Sequence, residues 1–303
     1  MNPQVAMDGL VAGSMIGLGA LGITLTYSIL RFANFAHGEF IAWGAYLALA
    51  AGAALGSVFP GLAAPVGPFS FGWALPVALF AAIGLNGVLA LGVDRLLFGP
   101  LRQRRSSVIV LVMASFGAAL TLRSLLEFIF TSRPAYFSKA LQIALPLGGG
   151  IRATPDQLLT LGVALVFVVC VHLLLTRTAM GRSMRAVSEN VALAGCVGVE
   201  VGSVIRVVWL LGAGLACVAG VGAGLLVQIR PQMGLDLLLP LFAAAILGGI
   251  GSVPGAMVAG LVVGLSEALA VQFVGAEWRA AVAFVILVAA LLLRPQGLFG
   301  RAD

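Results

Sequence analysis

The sequence predicts an all-α fold: a polytopic bundle of transmembrane helices with broken or re-entrant segments and an internal inverted repeat. Three observations carry that prediction. Hydrophobic residues make up 61% of the 303-residue chain and charged residues only 9%, against about 25% charged in soluble domains, and the mean hydropathy is +1.13. Apolar runs of about 20 residues, the length that crosses a bilayer, recur along the chain. The arginines fall in short clusters between those runs. No composition shift divides the chain, so residues 1–303 read as a single membrane domain.

The runs lie at 5–29, 35–56, 73–98, 106–130, 157–176, 203–227, 254–274 and 278–293, with a shorter apolar piece at 236–250. Gly, Pro and Arg punctuate them. The net charge of +6 could suggest nucleic acid, but the positive-inside rule accounts for the arginines without it. Arg102, Arg104 and Arg105, then Arg177, Arg182 and Arg185, then Arg294 and Arg301 are placed in the cytoplasm. Alternation puts the N-terminus outside and the C-terminus inside. Parity then requires 236–250 and 254–274 to enter and leave as a hairpin, turning at GGIGSVPG (248–255).

Polar residues inside such a chain are expensive and mark function or repair of broken backbone. Within RFANFAHGEF (31–40), Asn34 is a candidate N-cap for a helix starting at Phe35. His37 and Glu39 fall in the first turn, where a carboxylate suits the positive helix end, and Gly38 permits close backbone approach. Two roles are open for this group: satisfying a broken helix, or also bordering a solute path. A proton relay between His37 and Glu39 is a further possibility. Transporter sites are built from paired breaks, one in each half, and layout pairs 34–40 with Gly248, Gly249, Gly251 and Pro254. Glu267 follows at mid-span. Arg123 and Glu127, spaced i,i+4, are expected to pair. Asp94 and Arg95 lie near the inner interface and can snorkel. His172, alone on an apolar run, reads as structural. Trp73 and Trp278 open helices as interfacial anchors.

Small residues at i,i+4 spacing mark helix contacts in lipid: Gly212, Ala216, Gly220 and Gly224 on one span, Ala256, Gly260, Gly264 and Ala268 on another. Cys170, Cys196 and Cys217 form no CxxC pair and read as small core residues, and no metal site is expected. The N-terminus lacks the basic region of a signal peptide. Residues 178–199 are too polar to span but suit a short amphipathic helix, with Met184, Val187 and Val191 in one stripe and Arg182, Arg185 and Glu189 beside it. Such a helix lies on lipid or docks into a partner. GxSxG and HExxH are absent, which leaves no hydrolase signature. The one lysine, Lys139, is followed by Ala140, so the chain has no Walker A loop.

NFAHGEF, the 178–199 segment, PQMG (231–234), FAAAILGGIGSVPGA (242–256) and RPQGLFG (294–300) occur in one order and register. Together they resemble the branched-chain amino acid permease family of ABC importers, the shorter of its two permeases in particular, over nearly the whole chain. The resemblance implies a non-enzymatic inner-membrane subunit that forms a pore with a second related permease. Two cytoplasmic ATPase subunits bind ATP, so this chain needs no cofactor of its own, and a periplasmic binding protein delivers branched-chain or related amino acids. It also implies that Gly181 to Gly195, including Arg182, Arg185, Glu189 and Asn190, form the helix that couples to the ATPases, and that Asn34, His37 and Gly38 belong to the broken helix. The chain departs at Pro240, where the family often carries lysine. A secondary transporter driven by an ion gradient is the alternative, with Glu39 and Glu267 as its candidate coupling carboxylates.

Overall fold

A computed structural model describes residues 3–138, 142–148, 150–294 and 296–300. Lys139, Pro295 and Arg301, each used above, lie outside them. Eight helices among the described residues are long and apolar enough to cross a membrane. They are α1 (Pro3–Leu30), α2 (His37–Val58), α3 (Ala74–Gln103), α4 (Val108–Phe130), α5 (Pro155–Arg177), α8 (Val201–Leu226), α10 (Val253–Phe273) and α11 (Ala276–Leu293). Between α5 and α8 stand two short helices, α6 (Ala179–Glu189) and α7 (Val191–Cys196). The short apolar piece is α9 (Met233–Gly248), 16 residues long.

Helices α1 and α8 form the centre, with most of each buried, while α5 and α11 are mostly exposed, as lipid-facing helices should be. Glycine stripes set the closest contacts. The predicted Gly260/Gly264 row on α10 meets a second row, Gly9, Gly13 and Gly17, on α1. Gly220 on α8 lies against the Ile41 carbonyl of α2. Backbones approach this closely only where at least one helix lacks a Cβ at the contact.

The helices form two halves of equal plan. In the first, α1 is followed by a six-residue break (31–36) and then α2, α3 and α4. In the second, α8 is followed by a six-residue break (227–232) and then α9, α10 and α11. The packing is unchanged when the halves are exchanged: α1 packs on α10 as α8 packs on α3, α2 on α8 as α9 on α1, α2 on α3 as α9 on α10, and α2 on α4 as α9 on α11. Because α1 and α8 run antiparallel, with Met15 beside Gly222, Gly22 beside Gly212, and Ile29 packed with Val204 and Val208, the halves are inverted. Helix α5 and the α6–α7 segment join them.

The predicted repeat is therefore present, but its second break is 227–232 and not 248–255. The two true breaks share one backbone turn. The His37 amide donates to the Asn34 carbonyl (3.2 Å) and the Met233 amide to the Arg230 carbonyl (3.1 Å). Ala36 (φ −68°, ψ −10°) and Gln232 (φ −75°, ψ −10°) enter the next helix in the same conformation. Residues 248–255 instead make the tight turn between α9 and α10. Gly249 and Gly251 there have φ of 92° and 89°, and the Ser252 hydroxyl accepts from the Gly255 amide at 3.1 Å.

One end of the bundle gathers the arginine clusters. Phe32 lies against Phe98 in the last turns of α3, 5.1 Å between the centroids of the tilted rings. Arg31 donates to the Ser188 carbonyl of α6, and the Leu298 amide donates to Leu247 at the end of α9 (2.7 Å). So Arg31, Arg102, Arg104, Arg105, Arg177, Arg182, Arg185 and Arg294 share that end. The opposite end carries a hairpin that the sequence did not signal, β1 (Leu145–Gly148) with β2 (Ile151–Ala153). Thr154 caps α5 in a reciprocal box with Gln157, where Thr154 Oγ1 accepts from the Gln157 amide and Gln157 Oε1 from the Thr154 amide.

Candidate functional site

The two breaks bring helix starts together inside the bundle. His37, the first residue of α2, lies beside Gly22 and Gly212. Gly212 is 11 residues from the arginine-rich end of α8, about 16 Å at 1.5 Å per residue, so α2 begins near the middle of the membrane. Helix α9 begins at the same depth and runs the other way. Gly38 and Gly234, each the second residue of its helix, meet backbone to backbone. Two positive helix ends thus converge, and each carries an acid in its first turn: Glu39 on α2 and Asp236 on α9.

Side chains around the crossing settle the freed backbone. Helix α2 starts at His37, two residues later than expected. The Asn34 side chain accepts from the Ala36 amide (3.1 Å) in a turn that precedes the helix, and the Phe35 amide donates to Ser115 Oγ (3.1 Å). His37 Nε2 donates to the Gly19 carbonyl (3.1 Å). Asn86 Nδ2 donates to the carbonyls of Phe40 (2.9 Å) and Ala213 (2.8 Å), tying α3 to α2 and α8. Trp43 Nε1 donates to the Leu122 carbonyl (3.0 Å), which fixes α2 along α4.

Arg123 pairs with Glu39 and not with Glu127. The i,i+4 expectation fails because a buried carboxylate one helix away offers the guanidinium a better partner than a residue on its own helix. Glu127 accepts instead from Gln232 Nε2 (3.3 Å), and Arg230 pairs with Asp236 (3.4 Å). Glu39 and His37 do not bond each other; each is committed elsewhere, which removes the basis for a relay between them.

The other expected site residues are dispersed. Gly248, Gly249, Gly251 and Pro254 lie at the arginine-rich end, where Gly249 packs on Gly297 and Gly300. Glu267 is buried in the opposite half, pairs with Arg279 Nε (2.8 Å), and adjoins a cavity of about 360 Å3 lined by Asp8, Gln272 and Arg279. Asp94 is clamped by Arg102 through two bonds (2.6 and 3.0 Å) and does not snorkel. His172 is exposed on α5 and not a core residue. Of the cysteines, only Cys217 is buried. Among the described residues, no His, Cys, Asp and Glu cluster could hold a metal.

The 178–199 segment is helical, as expected, but its apolar stripe faces inward. Met184 and Val187 pack with Ile29, Val204 and Val208 on the ends of α1 and α8. Gly181 is buried against the Leu174 and Leu175 carbonyls, leaving no room for a Cβ, and Arg185 donates to the Leu175 carbonyl. Arg182, Glu189, Asn190 and Gly195 stay exposed, as do Val191, Leu193 and Val197.

This geometry can be set against known proteins. Residues 5–291 match the family model described as the branched-chain amino acid transport system permease component. The chain belongs to that family. This permease is 30% identical over 306 residues to the high-affinity branched-chain amino acid transport system permease protein LivH of Escherichia coli strain K12, covering 99% of this chain and 96% of that protein. It is 30% identical over 309 residues to the corresponding protein BraD of Pseudomonas aeruginosa, with the same coverage. It is also 30% identical over 316 residues to the probable LivH of Methanocaldococcus jannaschii, covering 99% and 93%. Among solved structures, PsaBC from Streptococcus pneumoniae in complex with Fab matches with a TM-score of 0.49 and 14% identity, covering 96% of this permease and 92% of that chain. The permease is a multi-pass membrane protein and a component of a transport system.

The sequence missed the long-range members of the site: Gly234 opposite Gly38, Arg123 opposite Glu39, and Arg31 on Ser188. The signal for Gly234 was available in the parallel placing of HG (37–38) and MG (233–234), each following a short polar stretch.

Proposed function

We propose that this permease is one membrane subunit of an ATP-driven importer that moves branched-chain or related amino acids inward across a bacterial inner membrane. Its N-terminus is outside and its C-terminus cytoplasmic. A second related permease completes the pore, two ATPase subunits bind and hydrolyse ATP, and a periplasmic binding protein delivers the solute. The orientation rests on the gathering of arginines at one end of the bundle. The mechanism rests on one observation: α6, at that same end, is bonded at Ser188 to Arg31, the first residue of the 31–36 break.

Arg31 has φ of 58°, a conformation that costs a non-glycine residue roughly 1–3 kcal/mol and persists only where surroundings hold it. Ile29 packs with Met184 and Val187 just before it. A push on α6 from an ATPase therefore reaches α1 and the break through contiguous packed atoms. Asn34, His37, Gly38 and Glu39 are the receiving end of that motion. The coupling surface offered to the ATPase is Arg182, Glu189, Asn190 and Gly195 with Leu193 and Val197 exposed beside them. Gly181 and Arg185 position α6 against α5.

The test is L-leucine uptake into vesicles holding the assembled complex. ATP should drive uptake, and a proton or sodium gradient without ATP should not; uptake driven by the gradient in vesicles holding this chain alone would replace the importer by a secondary transporter. In the same vesicles, Arg31→Ala is expected to leave ATP hydrolysis near the parent rate and to lower uptake per ATP about 5- to 20-fold, the lower part of the range of ordinary coupling energies. Arg31→Lys, which keeps a donor, should recover part of it. An unchanged ratio in Arg31→Ala would remove this link.

A further inference from the structure

A second polar group lies on the surface at membrane depth. Asp236 is 12 residues from the inner end of α9, about 18 Å at 1.5 Å per residue. That places it near the middle of a hydrocarbon core about 30 Å thick, at the level where α2 and α9 begin. Its partner Arg230 is at the same level. Their side chains are 53% and 46% exposed. Gln232, also exposed, joins them to Glu127 one turn below the outer end of α4. Beneath this surface the buried Glu39–Arg123 pair keeps two polar atoms, Glu39 Oε2 and Arg123 Nε, without a partner among the described residues. Pro240 has no N–H, so the Asp236 carbonyl lacks its usual helical donor and adds another acceptor.

Charges half exposed at this depth cannot face acyl chains; they face other protein or water, and in membrane proteins such residues mark solute pathways. The group carries both signs, and it sits where two positive helix ends converge. We propose that Glu127, Arg230, Gln232 and Asp236 line the outer half of the solute path, at the face that this permease turns toward its partner subunit, and that they fit a zwitterion. Arg230 meets the carboxylate; Glu127, Asp236 and the freed Asp236 carbonyl meet the ammonium. The inference rests on the importer reading and locates its solute.

The test uses the assembled complex in vesicles, with Cys170, Cys196 and Cys217 replaced by Ala. Gln232→Cys and Asp236→Cys are exposed to a membrane-impermeant methanethiosulfonate added outside. Leu165→Cys, at a position 62% exposed midway along α5, is the lipid-facing control. The reacting thiolate forms in water and not in hydrocarbon, so the two path positions should label at least about tenfold faster than the control. Equal rates would overturn the lining. For the zwitterion, Arg230→Gln should raise the KM for L-leucine about tenfold, the effect of one charge-assisted hydrogen bond, and Arg230→Lys should raise it less. An unchanged KM in Arg230→Gln would overturn the carboxylate contact. If the parent complex moves no L-leucine while Gln232→Cys and Asp236→Cys still label fast, the solute assignment fails and the aqueous lining stands.

Discussion

Arg123→Leu is expected to destabilise the permease by about 3–5 kcal/mol, the cost of stranding one member of a buried ion pair. Glu39 is held by α2 with its side chain 2% exposed, and Arg123 by α4 at 16%. Water cannot replace the lost guanidinium, and the remaining helix-end amides stabilise a carboxylate by only about 0.3–2 kcal/mol. Removing both charges should cost far less, because a well-packed apolar pair avoids desolvation altogether. Thermal unfolding in detergent checks this: Arg123→Leu well below the parent, and Glu39→Leu/Arg123→Leu recovering most of the loss. An unshifted single variant would mean that the pair holds nothing together. Recovery of stability in the double variant should not restore uptake if the pair also shapes the path.

Gly38→Ala and Gly234→Ala should each come close to abolishing transport. A Cβ built on Gly38 lies 2.5 Å from the Gly234 carbonyl oxygen and 3.1 Å from its carbon. The obstacle is backbone, so no rotamer change relieves it and the two helix starts must separate. Overpacking of this kind costs typically 1–3 kcal/mol, and the upper end applies where neither side can yield. Gly84→Ala and Gly117→Ala are the controls, because nothing lies within 4 Å of the added atom. The comparison is initial uptake rate per assembled complex. Gly38→Ala behaving like Gly84→Ala would show that the crossing tolerates separation and that its closeness is incidental.

The helices were legible because a transmembrane span needs only length and hydropathy, both local properties. The 31–40 break was legible because Arg31, Asn34, His37 and Glu39 interrupt apolar sequence that would otherwise continue. Its counterpart was misplaced because GGIGSVPG is the more conspicuous glycine cluster. Glycines there serve a hairpin turn, whereas VQIRPQ, the true counterpart, contains none. The Met184/Val187 stripe shows the limit of periodicity: it states which side chains share a face, and not whether the covering surface belongs to the same chain. Pairing of Arg123 with Glu39 joins residues 84 apart in sequence, and a local spacing rule cannot see such a partner. The charged group at Glu127, Arg230, Gln232 and Asp236 was hidden for the same reason, since its members come from two separate segments.

Two copies of one plan, set head to tail, need not hold the same pose. If one half adopts the tighter arrangement and the other the looser, exchanging those arrangements yields a second shape that is the first turned upside down. A passage shut at one surface in the first shape is then shut at the opposite surface in the second. The geometry of alternating access is thus contained in the chain's own symmetry, and in the importer proposed above the driving subunits need only choose between two arrangements related by a two-fold rotation.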